Sequence, residues 1–97
     1  MPLSSKQRQH LRGLGHALEP VVQIGKDGVT DAAVAAVGEA LTAHELIKVK
    51  LGKTAPVDRH AAAEELAARS ASEVVQVLGK AILLFRRNPD EPRIPLP

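Results

Sequence analysis

The residues best placed for chemistry are Gly25-Lys26-Asp27-Gly28, two glycines three apart around a charged pair. Glycine lacks the Cβ that keeps a ligand away from the backbone, so N–H groups in such a loop can come close to an anion. Thr30 follows as a good N-cap, and Asp31 suits the positive end of a helix dipole. A helix N-terminus therefore aims at the same point, and the supported chemistry is capture of a phosphate. Lys26 would assist it and Asp27 would oppose it. Two glycines at this spacing also serve as a plain turn.

Other reactive residue types do not assemble into a catalytic set. His10, His16, His44 and His60 show no i, i+4 pair and no short metal-ligand spacing, and the chain has no cysteine. Asp58 and His60 could be combined with Ser70 or Ser72, but no nucleophile elbow surrounds either serine. The glycine loop is not followed by Gly-Lys-Ser/Thr, so it is not a P-loop. The reading is therefore a non-enzyme without metal or cofactor.

Charge is small in sum, +2, but uneven along the chain. Lys6, Arg8 and Arg12 stand in an acid-free stretch, as do Lys48, Lys50 and Lys53. Acidic residues gather in 19–45 and 58–79, so a fold could separate a basic from an acidic surface. Lys48 and Lys50 share one strand face. They could contact a polyanion, be simply solvated, or protect an edge strand. Phe85 is the only aromatic residue, whereas modules that read single strands stack bases on several rings. A nucleic-acid partner would be held mainly by its backbone, as KH domains do with a G-x-x-G loop.

The elements that must position these residues follow from periodicity. Ser4 and Gln7 form a capping-box pattern, and Leu11, Leu14 and Leu18 make the buried stripe of a first helix. Lys6, Arg8 and Arg12 fall off that stripe, toward solvent. Gly13 and Gly15 weaken this helix, or mark its end or the close passage of another backbone. A strand is expected over Val21–Ile24 and a helix over Asp31–Ala43, with Val29 and Val34 set for a hydrophobic staple. Leu46–Leu51 alternates cleanly as a strand, Ile47, Val49 and Leu51 one way and Lys48 and Lys50 the other. Asp58 caps a third, alanine-rich helix. Glu73–Leu78 and Ala81–Arg86 form a hairpin around a Gly79-Lys80 turn of type II′. The last strand is apolar on both faces, so both must be covered. The expected fold class is α/β: α-β-α-β-α-β-β, a mixed four-stranded sheet with three helices, one helix lying at an edge or on the opposite face.

The 97 residues, 44% hydrophobic and 25% charged, suit one globular domain over 1–97, with 88–97 an extended proline-rich tail on which Ile94 and Leu96 could dock. No apolar run can span a bilayer, and the N-terminus has no signal core. A cytoplasmic monomer is the expectation.

Several stretches together resemble a known family. They are Leu3–Leu14, Pro20-Val21-Val22 running into Gly25–Gly28, His44–Lys50, and Val75-Gln76-Val77-Leu78-Gly79-Lys80. This pattern resembles the CRM domain, and within it the stand-alone bacterial YhbY-type proteins. The resemblance implies an RNA-binding α/β domain, similar in topology to the C-terminal domain of translation initiation factor three. It also implies a link to ribosomal RNA in precursors of the large ribosomal subunit. It maps the family's loop onto Gly25, Lys26, Asp27 and Gly28 and its basic surface onto Lys6, Arg8, Arg12 and Lys26, with Lys48 and Lys50 as further candidates. Asp27 departs by placing an acid in the loop. Ala71 departs by standing where many relatives have a glycine, which predicts a third helix without its left-handed cap. The expected function is RNA binding in ribosome assembly. The alternative is a protein–protein adaptor docking on ribosomal proteins or assembly factors.

Overall fold

The computed structural model describes residues 3–97. Its elements are α1 (Ser5–Gly15), β1 (Pro20–Ile24), α2 (Asp31–His44), β2 (Leu46–Leu51), α3 (Arg59–Ser70), β3 (Glu73–Leu78) and β4 (Ala81–Phe85). The expected order and the four-stranded mixed sheet are both present. The strands run β1-β2-β4-β3, with β1 parallel to β2 and the other pairings antiparallel. Gly79 has φ +60° and Lys80 no positive φ, as a type II′ turn requires. Because β2 lies inside the sheet, Lys48 and Lys50 do not guard an edge, and that reading is overturned.

Alternation along the strands builds two cores. Ile24, Ile47, Val49, Leu51, Ile82 and Leu84 face α2 and α3, where Val37, Leu41 and Leu66 meet them. Val29 and Val34 pack against the same cluster. Leu46, Val75, Leu83 and Phe85 face the other way, against Leu11 of α1. Both faces of β4 are thus covered, and α1 is the helix on the opposite face.

The stripe of α1 differs from the one that leucine spacing predicts. Leu11 and Gly15 are buried, while Leu14 is 42% exposed and Leu18 half-buried. Gly15 is the cause. A Cβ there would lie 2.9 Å from Leu83 Cδ2, so the helix seats directly on that side chain and Leu14 turns outward. It is a side chain, not another backbone, that passes close.

Ala71 also departs from expectation. It adopts the left-handed conformation itself, at φ 55° and ψ 44°, and Ser72 N–H donates to Ala67 O at 2.9 Å. The helix therefore keeps a Schellman-type end without glycine.

Beyond β4 the chain forms no helix or strand. It bends at Asn88, whose Oδ1 accepts from the amides of Asp90 and Glu91, and comes back over the α1 side of the sheet. Ile94 and Leu96 pack there against the second core, as expected. The return is held by Glu45, which is fully buried after α2 at φ 64°. Its carboxylate accepts N–H bonds from Asn88, Arg93 and Ile94 at 2.6–2.8 Å. Burial alone would raise its pKa, but these three bonds and the Arg87 charge outweigh it and hold the pKa below the usual value. Among the described residues no buried side-chain polar atom lacks a partner.

Candidate functional site

The Gly25–Gly28 stretch folds as a β-turn, closed by Gly28 N–H donating to Gly25 O at 3.0 Å. The two glycines differ in kind. Gly28 is buried at φ +73°, against Pro56 and Val57. Gly25 is exposed, lies outside the left-handed region, and has open space where a Cβ would stand. Conformational strain on replacement belongs to Gly28, not to Gly25. Lys26 and Asp27 occupy the exposed tip, and their amides bond to no other described residue.

Two residues on, Thr30 Oγ1 accepts from Ala33 N at 3.0 Å, and Thr30 O accepts from Val34 N. The amides of Asp31 and Ala32 remain without a partner among the described residues. Asp31 is engaged by Arg69, which also bonds Glu65 and Val29 O. These two carboxylates raise the pKa of Arg69, and its charge answers Asp31 at the helix end. The arrangement thus leaves the amides of Lys26, Asp27, Asp31 and Ala32 unpaired among the described residues, beside a helix end that favours an anion.

Strand direction decides which cations share this end. The C-terminal ends of β1, β2 and β3 lie together with the start of β4. Lys50 is exposed there, between Gln23 of β1 and Ala81 of β4. Lys53 and Lys80 stand in the adjoining loops, both exposed. Sequence reading did not single out Lys53 and Lys80 as site residues. The available signal was their position right after the turn glycines Gly52 and Gly79. Lys48 is different: it is half-buried and lines a small cavity with Gly15 and His16, at the C-terminal end of α1. A cation is favourable at that end of a dipole.

The basic residues of α1 lie elsewhere. Leu3 N–H donates to Glu73 Oε2 at 2.9 Å, and the Arg8 guanidinium donates to Val74 O. Both anchors are at the start of β3, the edge strand farthest from β1 and the end opposite the glycine turn. Lys6 and Arg8 are therefore diagonal to Gly25–Gly28 across the sheet. Arg12 follows one turn later, half-buried. Arg8 does not simply face solvent, as its position off the leucine stripe predicts; it fastens α1 to β3.

Among the described residues no group of three or more His, Cys, Asp or Glu could hold a metal ion. No helix is long and apolar enough to cross a membrane.

Comparison with known proteins agrees with this architecture. The CRS1 / YhbY (CRM) domain matches residues 3–86, and the returning tail lies beyond it. The probable RNA-binding protein PA4753 of Pseudomonas aeruginosa is 42% identical over 89 residues, 92% of this chain and 86% of that protein. The probable RNA-binding protein YqeI of Bacillus subtilis is 39% identical over 95 residues, 98% of this chain and 99% of its own. The solution structure of the hypothetical protein SAV1595 from Staphylococcus aureus superposes with a TM-score of 0.84 at 35% identity, covering 99% of this chain and all of the other. Fold and sequence agree, and the chain belongs to the CRS1/YhbY (CRM) domain family.

Proposed function

We propose that this chain is a non-catalytic RNA-binding protein that grips the RNA backbone at the glycine turn and acts on precursors of the large ribosomal subunit. The observation that carries the first part is the exposed turn with free amides at Lys26 and Asp27, followed by free amides at the start of α2. Lys26 and Lys50 would neutralise the phosphates held there. Lys6 and Arg12 form a separate basic group that only a larger folded RNA reaches. The single aromatic residue, Phe85, is buried, which favours backbone contact over base stacking. Relatives named as RNA-binding proteins support the partner class. The ribosomal role rests on the family resemblance, and pull-down of RNA from cell lysate followed by sequencing tests it.

The test of the turn is Lys26→Asp, which keeps both glycines and the Thr30 cap. A second acid beside Asp27 repels a phosphate, and such like-charge contacts cost several kcal/mol. The expected result is RNA affinity lowered at least about tenfold, roughly 1.4 kcal/mol, with a melting temperature within a few degrees of wild type. Full affinity in the folded variant would make the turn a connector.

A second reading, a protein adaptor, is favoured by one feature. An apolar groove of about 430 Å³ runs between α1 and the sheet, lined by Leu14, Leu18, Val21, Leu46 and Ile94. Salt separates the two readings. Phosphate contacts weaken steeply as salt rises, and apolar contacts do not.

A further inference from the structure

We propose that a second phosphate seat adjoins the glycine turn, in the groove between the β2–α3 loop and the β3–β4 turn, and that it holds the backbone of single-stranded RNA leaving that turn. The inference rests on the RNA-binding reading above and deepens it.

The groove encloses about 480 Å³, and Lys53, Arg59 and Lys80 line it. One acid, Asp58, lines it too, but its Oδ2 accepts from the amides of His60 and Ala61 as the cap of α3. The Arg59 guanidinium donates to Gly79 O at 3.1 Å, which ties the two walls together. Lys53 and Lys80 are exposed and have no ion-pair partner within 4.0 Å among the described residues. Three cations thus line the groove against a single carboxylate, the α3 cap Asp58.

The groove and the turn are one continuous surface. Gly52 N–H donates to Ile24 O at 2.8 Å, joining the β2–α3 loop to the last residue of β1. Later in that loop, Pro56 and Val57 lie against Gly28. The step from β1 to β4 is two strand spacings, about 10 Å, so an RNA strand of a few nucleotides spans it. No aromatic side chain lines the groove, so its recognition is of phosphate charge rather than of bases.

The test uses the double variant Lys53→Ala with Lys80→Ala and two oligouridylates, of three and twelve nucleotides. Affinities come from amide shifts in NMR titrations over a salt series, and circular-dichroism melts confirm the fold. The three-mer, which carries only two adjacent phosphates and none at its ends, is too short to seat one at both places; it fills the turn alone, and its affinity should stay as in wild type. The twelve-mer reaches both seats. Its affinity should fall about tenfold and its salt slope by about 1.4, at roughly 0.7 per single-strand phosphate. An unchanged twelve-mer affinity, or an equal loss on the three-mer, overturns the second seat. So does displacement of the twelve-mer by oligoglutamate as effective as by unlabelled oligouridylate. Lys26→Asp, run alongside, separates the two failures. If it weakens both probes while the double variant weakens neither, the seat falls and the turn stands. If it weakens neither probe, the turn falls and takes the seat with it.

Discussion

Gly25 and Gly28 look alike in sequence, yet substitution should separate them. Gly28 is buried in a left-handed conformation, where an L side chain costs about 1–2 kcal/mol. Gly28→Ala should therefore lower the melting temperature by several degrees, since about 1 kcal/mol shifts a domain of this size by roughly 4–8 °C. Gly25→Ala adds a methyl group in open space and should change stability by no more than about 0.5 kcal/mol. That methyl stands where a phosphate would approach the backbone, so RNA affinity should fall while the melt stays put. Melts and fluorescence anisotropy on both variants check this, and full affinity in Gly25→Ala would move the phosphate off the turn. Spacing alone revealed the pair of glycines but not their division of labour, because φ depends on what the turn packs against. The same holds at Ala71, where Ser72 N–H bonding to Ala67 O keeps a left-handed cap despite the side chain. Arg8 was legible as a cation and not as a fastener, because its long side chain reaches past its own helix face to Val74 O.

Elements were the most legible scale, since capping residues and period-two alternation are local. Ser4 with Gln7, Thr30 and Asp58 cap the three helices as their types foretell, and Leu46–Leu51 is the strand its alternation describes. What periodicity could not show is how elements seat on one another. Gly15 shifts the contact of α1 because Leu83 stands beneath it, and Glu45 reads from its neighbours as one more surface acid. Instead it joins the end of α2 to the returning tail. Its pKa is lowered by folding, so its contribution is complete above the unfolded value, about 4.3, and is lost as pH falls through the lower folded value. Glu45→Gln puts an amide donor against N–H groups that need an acceptor, and should destabilise by roughly 1.5–3 kcal/mol at neutral pH. It should also flatten the loss of stability below about pH 4.3, because no proton remains to be taken up there. Circular-dichroism melts across the acid range read both effects. An acid slope equal to that of wild type would place the proton uptake on another carboxylate.

For the whole molecule, the question is how one RNA could touch two basic groups set diagonally across a fold of 37 × 25 × 22 Å. Sequence blocks suggested one basic surface, but separation along the chain carries no information about corners of a sheet. The order β1-β2-β4-β3 puts the glycine turn on one edge strand and the anchors of α1 on the other, at opposite ends. Lys26, Lys50, Lys53 and Lys80 share the turn's end, whereas Lys6 belongs to the far corner and Arg12 lies farther along α1. A short single strand held at the turn and its groove has no reason to double back to α1. A stem-loop of about thirty nucleotides presents the phosphates of both strands over a breadth comparable to the protein itself. Lys6→Ala with Arg12→Ala should therefore leave the salt slope of a twelve-nucleotide single strand unchanged and lower that of the stem-loop by about 1–2, one phosphate per residue. Arg8 is left intact in this variant because removing it would loosen α1 from β3 and confuse binding with folding. Equal losses on both probes would mean that α1 lies on the path of the single strand. No loss on the stem-loop would leave Lys6 and Arg12 as ordinary solvated cations and confine RNA contact to the end of the sheet that carries the turn.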